Sequence, residues 1–170
     1  LYTLTCDKGS NATPVLSIER NITATYQGGV FLNLLNGTFR ADGEGVNIDI
    51  TRDSDLDIAS TACLSVKAGT FNVCNTNNHD RNVLLHGKIE VLGGDLNIGN
   101  GGGNDIECSL SQSYIDVQGG TLTVGGQIRR SYNAIIGDLH YSQSGGTVII
   151  WGIDRVNEIE TKRRGLIEVC

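Results

Sequence analysis

A short pattern of alternating apolar residues around a glycine occurs five times along this chain of 170 residues. The copies are residues 31–42, 63–74, 88–99, 114–125 and 140–151, and their aligned glycines are Gly37, Gly69, Gly94, Gly120 and Gly146. After a longer first interval, the glycines recur at a nearly constant spacing of roughly 26 residues, which is typical of structural repeats. Such a period predicts an architecture in which each unit buries its apolar face against the next unit.

The apolar positions within each copy have the spacing of β-strands. In the fourth copy, Ile115 and Val117 precede Gly120, Leu122 and Val124 follow it, and the residues between them are mostly polar. Alternation with a period of two is typical of a strand with one buried face. A glycine between two such strands predicts a sharp corner, where a positive φ keeps both apolar faces inside.

The dozen residues that return the chain to the next copy carry a weaker third strand. Its predicted inward pairs are Val83 and Leu85, Cys108 and Leu110, and Ala134 and Ile136. Each strand then pairs in parallel with its equivalent one coil later, about 4.8 Å along the axis. The predicted fold is all-β, a right-handed parallel β-helix of about six coils of roughly 26 residues.

We interpret residues 1–170 as a single β-helix segment with an irregular first coil over 1–29 and regular coils over 30–170. The longer interval from Gly37 to Gly69 is interpreted as an insertion around residues 49–58. A further copy begins at Gly165, and Ile167 follows Tyr141 by one repeat length. Because neither end has the polar capping segment that terminal repeats need, we expect the column to continue. The expected partners are neighbouring parts of a longer chain or other copies end to end.

The composition argues against two classes of partner. The formal net charge is −6, whereas a nucleic-acid groove needs a positive surface. No apolar run approaches the roughly 20 residues needed to cross a bilayer. We therefore expect no nucleic-acid partner and no membrane span.

Three of the repeats carry a resemblance to a known group of proteins. The segments IEVLGGDLNIG (89–99), IDVQGGTLTVGGQI (115–128) and SQSGGTVIIWG (142–152) resemble the β-helical passenger and stalk regions of large bacterial surface adhesins. The pattern is also similar to the giant repetitive secreted proteins of Bacteroidetes-type bacteria, within the pectate-lyase-like β-helix class. The resemblance spans roughly residues 30 to 170. It implies an extracellular or cell-surface structural segment of an adhesin or filament, with surface glycans as a further partner.

The strongest candidate metal site is an acidic cluster of Asp53, Asp55 and Asp57, with Asp49 nearby. Alternate residues of a strand point to one face, so three carboxylates could converge on a calcium ion. The competing interpretation is a solvated outer face with Leu56 and Ile58 inward. The cluster occurs once and lacks the glycine-spaced loop of an EF-hand. We expect no metal, cofactor-binding or catalytic residue.

A carbohydrate-active enzyme of this fold, a polysaccharide lyase or hydrolase, is the alternative function. It needs carboxylates and bases on the outer face of several adjacent coils, and the pattern predicts such interruptions only singly. Arg129 and Arg130 lie in one return, and Asp154 and Arg155 lie in the next. We interpret these four as surface ion pairs. Tyr114, Tyr132, Tyr141 and Trp151 are candidates for stacking on sugar rings.

The chain contains five cysteines, Cys6, Cys63, Cys74, Cys108 and Cys170. No two of them share a coil position in the glycine alignment. Cys108 is predicted to lie in the core, whereas Cys63 and Cys74 flank one corner and are predicted to project outward. We therefore expect no bridge, with a Cys63–Cys74 disulfide or a pair to another part of the chain as the exceptions.

Overall fold

The computed structural model describes residues 3–24, 29–50, 54–74, 81–99, 103–108, 112–131 and 138–151. These residues contain no helix, and all their strand pairs are parallel. The strands are β1 (Leu4–Asp7), β2 (Val15–Ile18), β3 (Ile22–Ala24), β4 (Leu32–Ile50), β5 (Leu56–Val73), β6 (Val83–Leu85), β7 (Lys88–Val91), β8 (Asp95–Ile98), β9 (Ile106–Cys108), β10 (Ser113–Val117), β11 (Thr121–Val124), β12 (Ile128–Arg130), β13 (Leu139–Gln143) and β14 (Thr147–Ile150).

The strands stack in three columns. Column A contains β1, the start of β4, the start of β5, β6, β9 and β12. Column B contains β2, the middle of β4 and of β5, β7, β10 and β13. Column C contains β3, the ends of β4 and β5, β8, β11 and β14. The chain passes through A, B and C in turn, which confirms the predicted parallel β-helix.

We number the coils 1 to 6. Strands β1–β3 form coil 1, β4 forms coil 2 and β5 forms coil 3, and each later coil consists of the next three strands. Between β1 and β12 the chain returns five times to column A, and β13 and β14 follow. The described strands therefore make about five full turns and two thirds of another, slightly fewer than the six predicted. The long strands β4 and β5 each supply one whole coil, and the register of their pairing shifts where they bend at the corners.

The interior is a continuous apolar stack in each column. In column B, for example, Leu64, Ile89 and Ile115 lie on one another and are fully buried. Phe39 lies on Leu64 in the same stack, and its ring centroid is 5.8 Å from that of Phe71 in column C. Burial of such side chains stabilises the fold by roughly 1.5–3 kcal/mol each.

The predicted glycine corner is confirmed in coils 3 to 6, where it joins columns B and C. Gly69, Gly94, Gly120 and Gly146 all have φ between 65° and 78°. Gly37 also has a positive φ of 84°, but it lies at a different corner, between columns A and B.

The predicted alignment of Gly37 with Gly69 is therefore wrong. Gly37 pairs with Ala62, Phe39 pairs with Leu64, and Ile48 pairs with Phe71. The predicted insertion around residues 49–58 is wrong for the same reason, since Asp49 and Ile50 lie in column C and Leu56–Ile58 lies in column A. With these residue pairs, equivalent positions of coils 2 and 3 are separated by nearly the same length of chain as in the later coils.

The third strand agrees only in part with the prediction. Val83 and Leu85 are inward residues of β6, as expected. In the next coil the inward residues of β9 are Ile106 and Cys108. Cys108 lies opposite Leu85 and not, as predicted, opposite Val83, and Leu110 is outside the described residues. The strand of coil 6 is β12, upstream of the predicted pair Ala134 and Ile136, which lies outside the described residues. Gly165 and Ile167 also lie outside them.

Candidate functional site: the outer faces of columns A and B

The structure separates Asp49 from two members of the predicted acidic cluster. Asp55 and Asp57 lie at column A, whereas Asp49 lies on the outer side of column C, and Asp53 is outside the described residues. Oδ1 of Asp57 is 3.6 Å from Nε2 of His86. In the described ranges, no group of three His, Cys, Asp or Glu side chains is placed to hold a metal ion.

Asp55 instead begins a ladder of side-chain caps along column A. Its Oδ1 accepts a hydrogen bond from the backbone N–H of Asn82 at 2.9 Å. Oδ1 of Asn82 accepts from the N–H of Asp105 at 2.9 Å, and Oδ1 of Asp105 accepts from that of Gln127 at 2.7 Å. Each coil thus satisfies a backbone donor of the next coil, which a buried N–H requires.

Arg129 forms ion pairs with two acids of the coil below, which are not the partners that the sequence predicts. Its guanidinium donates to Oδ2 of Asp105 and to Oε1 of Glu107. Asn82 donates to the same Glu107 oxygen at 2.9 Å. Asp154 and Arg155 lie outside the described residues, so the ion pairs predicted between the two returns stay a prediction.

A larger set of charged side chains lies on the outer face of column B. We call Arg40, Ser65, Lys88, Glu90, Asp116 and Gln118 the outer network.

Its lower half joins coils 2, 3 and 4. Nε of Arg40 donates to Oγ of Ser65 at 3.1 Å, and Ser65 donates to Oε2 of Glu90 at 3.0 Å. Nη2 of Arg40 also lies 3.3 Å from that Glu90 oxygen. Ser65 is fully buried although it faces outward, because the side chains of its neighbours cover it.

Its upper half joins coils 4 and 5 through one lysine. Nζ of Lys88 lies 2.8 Å from Oε1 of Glu90 and 3.2 Å from Oδ2 of Asp116. Gln118 donates to the same Asp116 oxygen at 3.0 Å. Glu90 and Asp116 are paired neighbours in the parallel ladder, and Lys88 separates the two negative charges.

The contacts move two pKa values away from neutrality. Burial alone would raise the pKa of Glu90, but hydrogen bonds from Lys88 and Ser65 and the charges of Lys88 and Arg40 lower it overall. Burial alone would lower the pKa of Lys88, but its bonds to Glu90 and Asp116 raise it overall. Both groups are therefore charged at neutral pH.

The prediction that charged interruptions occur only singly is wrong for column B. Arg40, Ser65, Glu90 and Asp116 occupy equivalent outward positions in four successive coils. The glycine alignment hid this because it placed Arg40 in the wrong column. The signal was present in the sequence as the nearly constant spacing of these four positions along the chain.

Cys63 projects outward as predicted, whereas Cys74 belongs to the buried core, and neither side chain is exposed. Both are buried, as are Cys6 and Cys108, and all four are free thiols. Cys63 does lie on the outer side of column B, paired with Lys88, but its neighbours cover it. Burial raises the pKa values of Cys63, Cys74 and Cys108 to about 12. The core position of Cys108 is confirmed, and Cys170 is outside the described residues.

The candidate sugar-stacking residues are arranged differently from one another. The rings of Tyr114 and His140 stack with centroids 4.8 Å apart, so one face of Tyr114 is already covered. Tyr141 faces inward and donates to Oε1 of Gln143 at 2.5 Å, which supplies a partner for that amide. Trp151 is 74% exposed, and Tyr132 is outside the described residues.

Comparison with known family models, curated proteins and solved structures finds no match for this chain. The described residues include no helix that is long and apolar enough to cross a membrane.

Proposed function

We propose that this chain is a non-catalytic structural segment of a secreted or cell-surface protein, an adhesin or a filament. The observation that carries the proposal is the outer network, in which charged and polar side chains of four adjacent coils bind one another. Arg40 pairs with Glu90, and Lys88 bridges Glu90 and Asp116 across the ladder, so each charge has a protein partner of opposite sign. Such a surface braces a column of stacked coils.

The charges of the network also argue for a structural role. General acid–base catalysis at neutral pH needs a group with a pKa near the working pH. The pKa of Glu90 is lowered and that of Lys88 is raised, so both pKa values are moved away from neutral pH. Strong mutual hydrogen bonding serves rigidity and leaves neither group poised to exchange a proton.

A carbohydrate-active enzyme remains the alternative, and one observation favours it. Glu90 and Asp116 are carboxylates on adjacent coils of one outer face, where a groove for a polysaccharide would run. A glycosidase needs one of two such carboxyls protonated, as a general acid. Lys88 lies between the two carboxylates, and its hydrogen bond and charge help to lower the pKa of Glu90, which disfavours that role for Glu90.

The two functions are separated by an activity assay. The purified chain is incubated with neutral and acidic polysaccharides, with and without calcium, and new reducing ends and unsaturated products are measured. We expect no turnover. Turnover that is lost in both Glu90→Gln and Asp116→Asn would establish the enzyme and place its site in the network. Turnover lost instead in Asp55→Asn or Asp57→Asn would place the site at column A.

The proposed location is tested separately on intact cells of the source organism. Protease added outside the cells is expected to remove the protein without lysis, while a cytosolic marker stays intact. Protection of the protein until the cells are lysed would rule out exposure on the cell surface, and absence from the medium as well would rule out secretion.

A further inference from the structure

We draw no further inference here: the strongest candidate, the outer face of column C, where the outward positions of coils 2 to 5 hold only Asn, Asp and Thr, is a surface patch for which nothing among the described residues shows what ligand or partner covers it.

Discussion

Gly120 lies directly above Gly94, and a Cβ atom on Gly120 would overlap the carbonyl oxygen of Gly94. The same position would also lie 2.7 Å from the carbonyl carbon of Gly93. The corners between columns B and C therefore contact each other backbone to backbone along the axis. A side chain is excluded there by its neighbour as well as by the positive φ.

We expect Gly120→Ala to destabilise the fold by about 3 kcal/mol or more. The left-handed conformation alone costs an alanine roughly 1–2 kcal/mol, and the overlap with Gly94 adds to it. Gly45→Ala is the matched control, because Gly45 has a φ of 70° and a Cβ there would meet nothing beyond its chain neighbours within 4 Å. Its expected cost is the conformational part only. Urea unfolding midpoints measure both, and equal losses would contradict the stacking of corners.

The network on column B is expected to make stability depend on pH in the acid range. The pKa of Glu90 is lowered in the folded chain, so its contribution is present above the unfolded pKa, near 4.5, and is lost as the pH falls through the folded value. At pH values below about 4.5, the urea concentration at the unfolding midpoint should therefore decrease with falling pH more steeply in the wild type than in Glu90→Gln. Parallel curves for the two proteins would show that the network contributes nothing.

The assignment of residues to the inside or the outside of the column is tested by placing one aspartate at an inward position and one at an outward position. Val117 is fully buried in column B, and an unpaired charge there costs several kcal/mol. We expect Val117→Asp to unfold the chain, as measured by circular dichroism and proteolysis. Thr147→Asp, at an exposed position of β14, is expected to leave the fold intact. Two folded variants would mean that the inward positions are misassigned.

The buried cysteines are expected to be unreactive in the folded chain. The thiolate is the reactive form, and pKa values of about 12 for Cys63, Cys74 and Cys108 keep these groups protonated at pH 8. In a Cys170→Ser variant, an aromatic disulfide reagent should react with no thiol until urea unfolds the chain, and then with four. Fast reaction of one thiol under native conditions would contradict its burial.

The repeat could be predicted because the fold imposes it on every coil. Ile89, Ile115 and Tyr141 recur at one repeat length and do pair in column B, and the glycine corners of coils 3 to 6 agree with the prediction. The alignment fails at coil 2 because Gly37 and Gly69 both have positive φ at corners of the same triangular path. A glycine reveals a sharp turn, but the residue alone does not reveal which of the corners it occupies.

Cys63 shows a second reason for failure. The alternation of apolar residues around Cys63 correctly predicts that its side chain points outward, since Cys63 pairs with Lys88 on the outer side of column B. It is nevertheless 2% exposed, because long side chains from the neighbouring coils lie over it. Burial on an outer face depends on residues one coil away in the chain, and local alternation carries no information on them.

The sequence by itself determined the β-helix, its period and the inward faces of most strands, because these follow from local alternation and from glycine conformation. Only the tertiary structure decided which residues share a column. A parallel ladder joins residues one whole coil apart, and an error of one corner moves a side chain to another face of the molecule. That pairing created the outer network of Arg40, Lys88, Glu90 and Asp116, and it separated Asp49 from Asp55 and Asp57.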